Sequence, residues 1–196
     1  MYILFEGVDT SGKTTQIELL KRNFSQIVTT KEPAGTEFGE WAREILLGGK
    51  LQSKRAETLL FLSDRAEHYH QIVKPNRASK TVISDRGFIS GIAYALASGE
   101  FEFEELLQLN LFALESDLPD FVIFFELDKA TLCKRLGTKS KDAIEARGID
   151  YILRVQEEIK STIQRLALEY KIIDATESID SISKEIYQIF SEKGVK

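Results

Sequence analysis

Short apolar runs alternate with longer amphipathic stretches along the chain. Tyr2 to Glu6 is a short apolar run that feeds a glycine-rich turn, and Thr14 to Phe24 follows with Ile17, Leu20 and Phe24 at helical spacing. Ile27 to Thr30 and Thr81 to Ser84 read as strands; between them Ala56 to Val73 reads as a helix, broken near Pro75. Phe121 to Leu127 is apolar on both faces, as a buried parallel strand should be. A long helix over Ile149 to Tyr170, a short strand around Ile172 and Ile173, and a helix over Ile179 to Phe190 close the chain. This alternation predicts an α/β fold with a parallel sheet and right-handed crossovers. The segment Gly137 to Gly148 breaks the rhythm. It carries Lys139, Lys141 and Arg147 among few apolar residues, and reads either as an ordinary surface loop or as a lid over bound phosphates.

Composition narrows the class without naming a function. The 196 residues suit one domain over the whole chain, with apolar residues at 43%, enough for a substantial core. A net charge of −5 disfavours a nucleic-acid polyanion as the main partner, while leaving room for a local basic pocket. The one cysteine, Cys133, excludes an internal disulfide and fits a reducing compartment. The longest clean apolar run, Phe121 to Phe125, is far short of the ~20 residues a membrane span needs. The N-terminus has neither the basic start nor the long apolar stretch of a signal peptide. These features together predict a soluble, cytoplasmic protein.

The chemistry is announced by Gly7-Val8-Asp9-Thr10-Ser11-Gly12-Lys13-Thr14, which fits the G-x-x-x-x-G-K-T phosphate-binding pattern. Its context is the one the chemistry requires, directly after a strand and opening a helix. Gly7 and Gly12 permit backbone shapes and close approach that a β-carbon would block. Successive N–H groups, helped by the positive end of the helix, can then face phosphate oxygens. Lys13 supplies a point charge for the β and γ phosphates, and the Thr14 hydroxyl can ligate Mg²⁺.

Whether the acceptor is water or a second substrate needs other residues. Asp85, at the C-terminal end of a strand, stands where an open α/β sheet places a Mg²⁺- or water-orienting carboxylate, and Arg86 beside it offers charge to a phosphate. An exposed Asp-Arg pair in a loop is also common. Phe61 and Arg65 lie four apart and share a helix face. They read either as a core aromatic beside a surface cation, or as a stacking face and a planar fork for a flat base. His68 and His70, roughly 200° apart around a helix, cannot share a metal and read as solvated.

Taken together, these residues resemble the bacterial-type thymidylate kinases of the nucleoside-monophosphate kinase group, over nearly the whole chain. The P-loop with Asp9, the loop Glu32-Pro33-x-Gly35-Thr36, Gly39 with Arg43, and Leu60-Phe61 with Arg65 carry the likeness. So do Lys74-Pro75, Ser84-Asp85-Arg86, Ser90 through Tyr94, Leu132-x-Lys134-Arg135 and Asp174-Ala175-Thr176. The resemblance implies a three-layer P-loop fold, with a five-stranded parallel sheet flanked by helices and a short lid at about 137–148. It implies transfer of the γ-phosphate of ATP to dTMP with Mg²⁺, and a homodimer; the apolar stretches Ile89–Ala97 and Leu106–Leu114 are consistent with that, and core packing explains them too. ATP would sit on Gly7 through Thr14, with Arg135 and the Asp174–Thr176 loop at the adenine. The dTMP side would comprise Asp9 at the sugar 3′-hydroxyl, the Glu32 loop, Phe61 on the thymine face and Arg65 at its O4. Arg43 and Arg86 would clamp the acceptor phosphate, Ser90 and Tyr94 would flank base and sugar, and Asp85 would join Thr14 at Mg²⁺.

Several positions depart from the family pattern: Lys31 where arginine is common, Ala34 for a glycine, Gly87 after Asp85-Arg86, and Ala95 after Tyr94. Thr10 and Ala143 stand where an arginine for the transferring phosphoryl group would be expected. That role therefore falls to Arg154, shared with a lid lysine or Arg147. The competing expectations are another small-molecule kinase of this fold, and a nucleotide-dependent switch without an acceptor.

Overall fold

β1 (Tyr2–Gly7) is the centre of the fold, and its first five residues are almost wholly buried. The computed structural model describes residues 1–49, 51–137 and 148–195. β1 pairs in parallel with β3 (Thr81–Asp85) on one side and with β4 (Phe121–Glu126) on the other. β2 (Ile27–Lys31) and β5 (Tyr170–Asp174) complete a five-stranded, all-parallel sheet of order β2-β3-β1-β4-β5. Burial follows rank in that order. Phe121 to Phe125 are buried throughout, whereas the edge strands keep half-exposed positions, as helices on both faces require. Phe5 packs against Phe125 and edge-on to Phe190, with ring centroids 5.4 and 6.4 Å away.

Among the described residues the helices are α1 (Lys13–Asn23), α2 (Glu37–Leu47), α3 (Lys54–His68), α4 (Lys74–Arg77), α5 (Phe88–Leu96), α6 (Phe103–Ala113), α7 (Lys129–Leu136), α8 (Ile149–Arg165) and α9 (Ile179–Glu192). The strands and the α/β alternation fall where the apolar pattern puts them. Two helix ends do not. The expected break near Pro75 is absent, because a π-helical turn over Tyr69–Val73 carries α3 into α4 and the backbone stays helical through the proline. Lys74 N–H reaches back to the Tyr69 carbonyl, and this widened turn accommodates a ring that would collide with a regular α-turn. At the other end, Tyr170 opens β5 opposite Val122 instead of closing α8. The helix stops because Ala167 turns left-handed, at φ 50°, and Leu168 N–H caps the Ile163 carbonyl. Of the expected lid at about 137–148, residues 138–147 lie outside the described residues, together with Lys139, Lys141, Ala143 and Arg147.

A parallel sheet of this order has a crevice at the C-terminal ends of β1 and β3, where successive connections leave in opposite directions. Gly7 and Asp85 end those strands. On the β4 side, Gln156 of α8 clamps the chain just past the sheet: Leu127 N–H donates to its Oε1 and its Nε2 donates to the Leu127 carbonyl, both at 2.9 Å. Gln156 and Leu127 are both buried. Gln156→Leu should therefore leave a buried N–H and a buried C=O unmet and lower stability by about 1–3 kcal/mol for each group, read as a fall in the denaturant midpoint. A shift below 0.5 kcal/mol would mean that water replaces the amide.

Candidate active site

The phosphate loop runs from Gly7 to Thr14 between β1 and α1. Gly7 has φ 147°, and a β-carbon there would stand 2.7 Å from the Phe125 carbonyl oxygen, so β1 and β4 approach too closely for any other residue. Gly12 begins α1 without a side-chain cap, and the first turn of the helix holds no acid. Its leading N–H groups and positive end are thus free to receive an anion. Lys13 Nζ lies back on the carbonyls of Gly7 and Val8, each 3.0 Å away, and 3.9 Å from Asp85. Burial, with help from Arg86, lowers its pKa to about 8, against the pull of Asp85, Asp9 and Glu6.

Asp85 crosses from the end of β3 to the start of α1, where Thr14 Oγ1 donates to its Oδ2 at 2.6 Å. A hydroxyl and a carboxylate side by side at the phosphate loop form the oxygen pair that a hard cation such as Mg²⁺ takes, with water and phosphate completing the shell. Among the described residues no cluster of three or more His, Cys, Asp or Glu could hold a metal by itself. The donor set fits an ion brought in with phosphates.

In front of the loop opens a cavity of about 590 Å³, within the range of small-molecule sites. Asp9, Gly12, Lys13 and Thr14 line one end, and Glu32, Arg43, Phe61, Arg65, Ser90 and Tyr94 line the other, with Asp85 and Arg86 between. Arg86 is fastened in place. Its Nη1 donates to the Gly7 carbonyl at 2.6 Å and to Ser90 Oγ at 3.2 Å, and its Nη2 pairs with Asp9 at 2.8 Å. Gly7, Val8 and Ser11 of the loop stand outside the cavity wall, as do Arg135 and Arg154. Arg135 bridges the Thr10 and Ala175 carbonyls at 2.9 Å each, tying the phosphate loop to the turn after β5. Arg154 is exposed on α8, its guanidinium 5.9 Å over the Tyr151 ring, and the Tyr151 hydroxyl donates to the Tyr94 carbonyl at 3.1 Å.

The far end of the cavity rests on buried charge. Arg65 is only 2% exposed, so it is no surface cation, and Phe61 stands half-buried on the wall instead of in the core. Arg65 Nε donates to Glu32 Oε2 at 2.8 Å, Nη2 pairs with the same oxygen, and Nη1 donates to Asn110 Oδ1 at 2.6 Å. Gly91 makes room for it, since a β-carbon there would lie 2.9 Å from Nη2. His68, expected in solvent, is fully buried and bridges Glu32 Oε1 at 3.0 Å and Thr30 Oγ1 at 2.7 Å; His70 is exposed as expected. Burial raises the Glu32 carboxyl, but Arg65 and His68 outweigh it and hold the group below its ordinary value. Asp64 is buried beside them, and the Ala34 backbone N–H reaches its carboxylate. Burial and then Glu32 push it up to about 6, against His68 and Arg65.

Sequence reasoning missed Glu6, His68 and Asn110, although each leaves a trace. Glu6 is the one acid in an apolar strand, His68 continues the Phe61–Arg65 face, and Asn110 lies on the buried stripe Phe103, Leu106, Asn110, Ala113 of α6.

A glycine-rich phosphate loop between β1 and α1, facing a carboxylate at the end of β3 and a second, base-sized end of the same cavity, defines a P-loop nucleotide kinase. The family described as "Thymidylate kinase" matches residues 5–186. A thymidylate kinase of Sulfurovum sp. (strain NBC37-1) is 56% identical over 186 residues, spanning 95% of this chain and 97% of that protein. One of Campylobacter curvus is 50% identical over 189 residues, with the same coverage. The crystal structure of thymidylate kinase from Ehrlichia chaffeensis superposes with a TM-score of 0.77 at 26% identity, covering 97% of this chain and 98% of that one. The chain belongs to the thymidylate kinase family.

The Arg65 anchors make a graded prediction. Glu32→Ala should leave a buried guanidinium unpaired and cost about 3–5 kcal/mol, whereas Asn110→Ala removes one charge-assisted bond, about 1.5–3 kcal/mol. The Glu32 carboxyl titrates below its ordinary 4.5 in the folded chain, so its contribution is complete above that value and is lost as the pH falls through the folded value. The stability difference between wild type and Glu32→Gln should be constant above about pH 4.5 and begin to shrink as the pH falls below it. A difference that stays constant below that pH would place the effect in packing.

Proposed function

We propose that the protein transfers the γ-phosphate of ATP to dTMP, giving dTDP, by direct in-line transfer between two nucleotides held in one cavity. The observation that carries this reading is the continuity of the cavity, with the phosphate loop at one end and Phe61 with Arg65 at the other. ATP phosphates would lie on the N–H groups of Gly7–Thr14, drawing Lys13 off the loop carbonyls. Arg135, already joined to the turn after β5, borders the adenine side. Thr14 and Asp85 would hold Mg²⁺, which neutralises charge on the bridging phosphate oxygens when bound.

On the acceptor side, Phe61 offers a face for the base. Three of the five N–H groups of Arg65 are taken by Glu32 and Asn110, so its remaining donors can meet only an acceptor, as O4 of thymine is and the amino group of cytosine is not. Asp9 would take the 3′-hydroxyl, and Tyr94, wedged against Arg86 and Tyr151, would crowd a ribose 2′-hydroxyl. Arg43 has no ion-pair partner among the described residues and joins Arg86 and Ser90 around the acceptor phosphate. Arg154 would contribute positive charge to the transferring group across the Tyr151–Tyr94 pair. Alignment and charge placement are most of what phosphoryl transfer asks of a protein.

ADP release with ATP and Mg²⁺ should therefore depend on dTMP, with dUMP slower and purine monophosphates nearly inert. Preference for AMP or GMP would overturn the thymine reading, and steady hydrolysis without acceptor dependence would point to a switch. Lys13→Ala should lower turnover about 10²-fold or more, and Phe61→Ala should weaken dTMP use by about 1 kcal/mol while sparing ATP. Arg154→Ala should lower kcat far more than it raises either KM; normal turnover would remove Arg154 from the reaction.

The family-implied homodimer has a surface to use, though only partly where the sequence placed it. Ile89, Ile92 and Ala93 of α5 are fully buried in the core, which excludes that helix face. Exposed instead are Phe38, Trp41 and Ile45 on α2, Leu59 on α3, and Leu109 and Phe112 on α6. Because α3 packs against both α2 and α6, these side chains belong to adjoining helices, an arrangement that marks association surfaces. A second copy docking there should give twice the 22.2 kDa chain mass in light scattering, reduced to a monomer by Trp41→Glu with Phe112→Glu. A wild-type monomer would refute it. A cytoplasmic location, where Cys133 would stay reduced, completes the proposal.

A further inference from the structure

Glu6 is 0% exposed in β1, where Tyr2, Ile3, Leu4 and Phe5 are all buried and apolar. Its register neighbour in β4 is Phe124. Nothing in the sheet calls for a carboxylate there, and an apolar side chain would be the cheaper occupant. What the carboxylate meets is the start of α5. That helix opens on Gly87, which has no side chain to cap it, and has no acid in its first turn. Glu6 supplies both from another strand. Its Oε1 accepts from Ser90 N–H at 3.3 Å, and its Oε2 accepts from the Ser90 hydroxyl.

The Ser90 hydroxyl has a single proton. Spending it on Glu6 turns the oxygen's lone pairs outward, where Arg86 Nη1 donates to it at 3.2 Å. Arg86 itself sits at φ 72° in the turn between β3 and α5, its Nη1 also on the carbonyl of Gly7, the residue after Glu6. We propose that Glu6 is a positioning residue for the acceptor side of the site, its carboxylate fixing the first turn of α5 and, through Ser90, the direction of Arg86. This rests on the reading of Arg86 and Ser90 as the acceptor-phosphate end of the cavity.

The titratable and charged groups that reach Glu6 are Arg86 from the β3–α5 turn, Lys13 from α1 and, on its own strand, Tyr2. Burial nevertheless pushes its carboxyl up to about 7, with the Ser90 bonds, Arg86 and Lys13 pulling the other way. An acid whose folded pKa lies above its ordinary value is destabilising once ionised, so stability should fall as pH rises from about 4.5 towards about 7. A neutral Glu6 could donate to Ser90 and release the arrangement that holds Arg86.

Glu6→Gln keeps the shape and removes the charge. It should raise the KM for dTMP about tenfold or more, leave the KM for ATP within twofold, and melt no lower than wild type at pH 8. The wild-type to variant ratio of kcat/KM for dTMP should climb as pH passes from 6 to 8, the ionisation of the nucleotide's own phosphate cancelling in the ratio. An unchanged acceptor KM, or a flat ratio with a lower melting temperature, would overturn the role and leave Glu6 structural. If wild type prefers another nucleoside monophosphate, the thymine reading falls, and the same KM comparison on that acceptor still decides for or against Glu6. Should the variant fail to fold, the wild-type carboxyl can be followed by carbon-13 NMR. Its midpoint near 7 should move when dTMP is added and not when ATP is, and indifference to dTMP would overturn the proposal.

Discussion

One carbonyl holds the two ends of this site together. The oxygen of Gly7 accepts from Lys13 at 3.0 Å and from Arg86 at 2.6 Å, so the cation proposed for the ATP side and the one proposed for the acceptor side share a single anchor. That anchor is immovable, because Gly7 is pressed against the Phe125 backbone in a conformation that side chains rarely adopt. The packing of β1 against β4 is thus transmitted to the distance between two charges. For a reaction whose catalysis is largely alignment, a rigid sheet end is a more dependable ruler than any loop.

Charge is buried at both ends. At the base end Glu32 pairs with Arg65 and His68, and Glu32 and Asn110 together take three of the five N–H groups of the buried cation. At the phosphate end, Lys13 and Glu6 are buried under conditions that disfavour their charges. Buried charge held against its preference is expected of functional sites, and Asp64, pushed up to about 6 beside Glu32, shows that the base end carries one such group as well.

Legibility in the sequence followed locality. The phosphate loop is contiguous, and the central strands are uninterrupted apolar runs, so both could be read directly. The stop of α8 could not, because Leu166 and Leu168 prolong the apolar pattern and the left-handed residue is an alanine instead of a glycine. The Pro75 break was wrong because a π-turn is a tertiary accommodation with no periodic signature. Arg65 finds Glu32 across 33 residues and Asn110 across 45, distances at which residue type gives no hint of partnership. His68 was set against His70, two positions on, when its true neighbours on the helix face were Phe61 and Arg65. Most residues named by type and family likeness lie on one cavity, while the supports beneath it are contacts between distant stretches of chain.

The chain's one tryptophan lies on the exposed side of α2, with 61% of its surface in solvent. The core around Phe5, Phe124 and Phe190 contains no indole. Intrinsic tryptophan emission is therefore blind to most of what melts and attentive to whatever covers α2. A blue shift on raising the protein concentration would signal that helix leaving water, while thermal unfolding would pass with little change in colour. The molecule carries its own optical probe of association, placed by its sequence where the core cannot interfere.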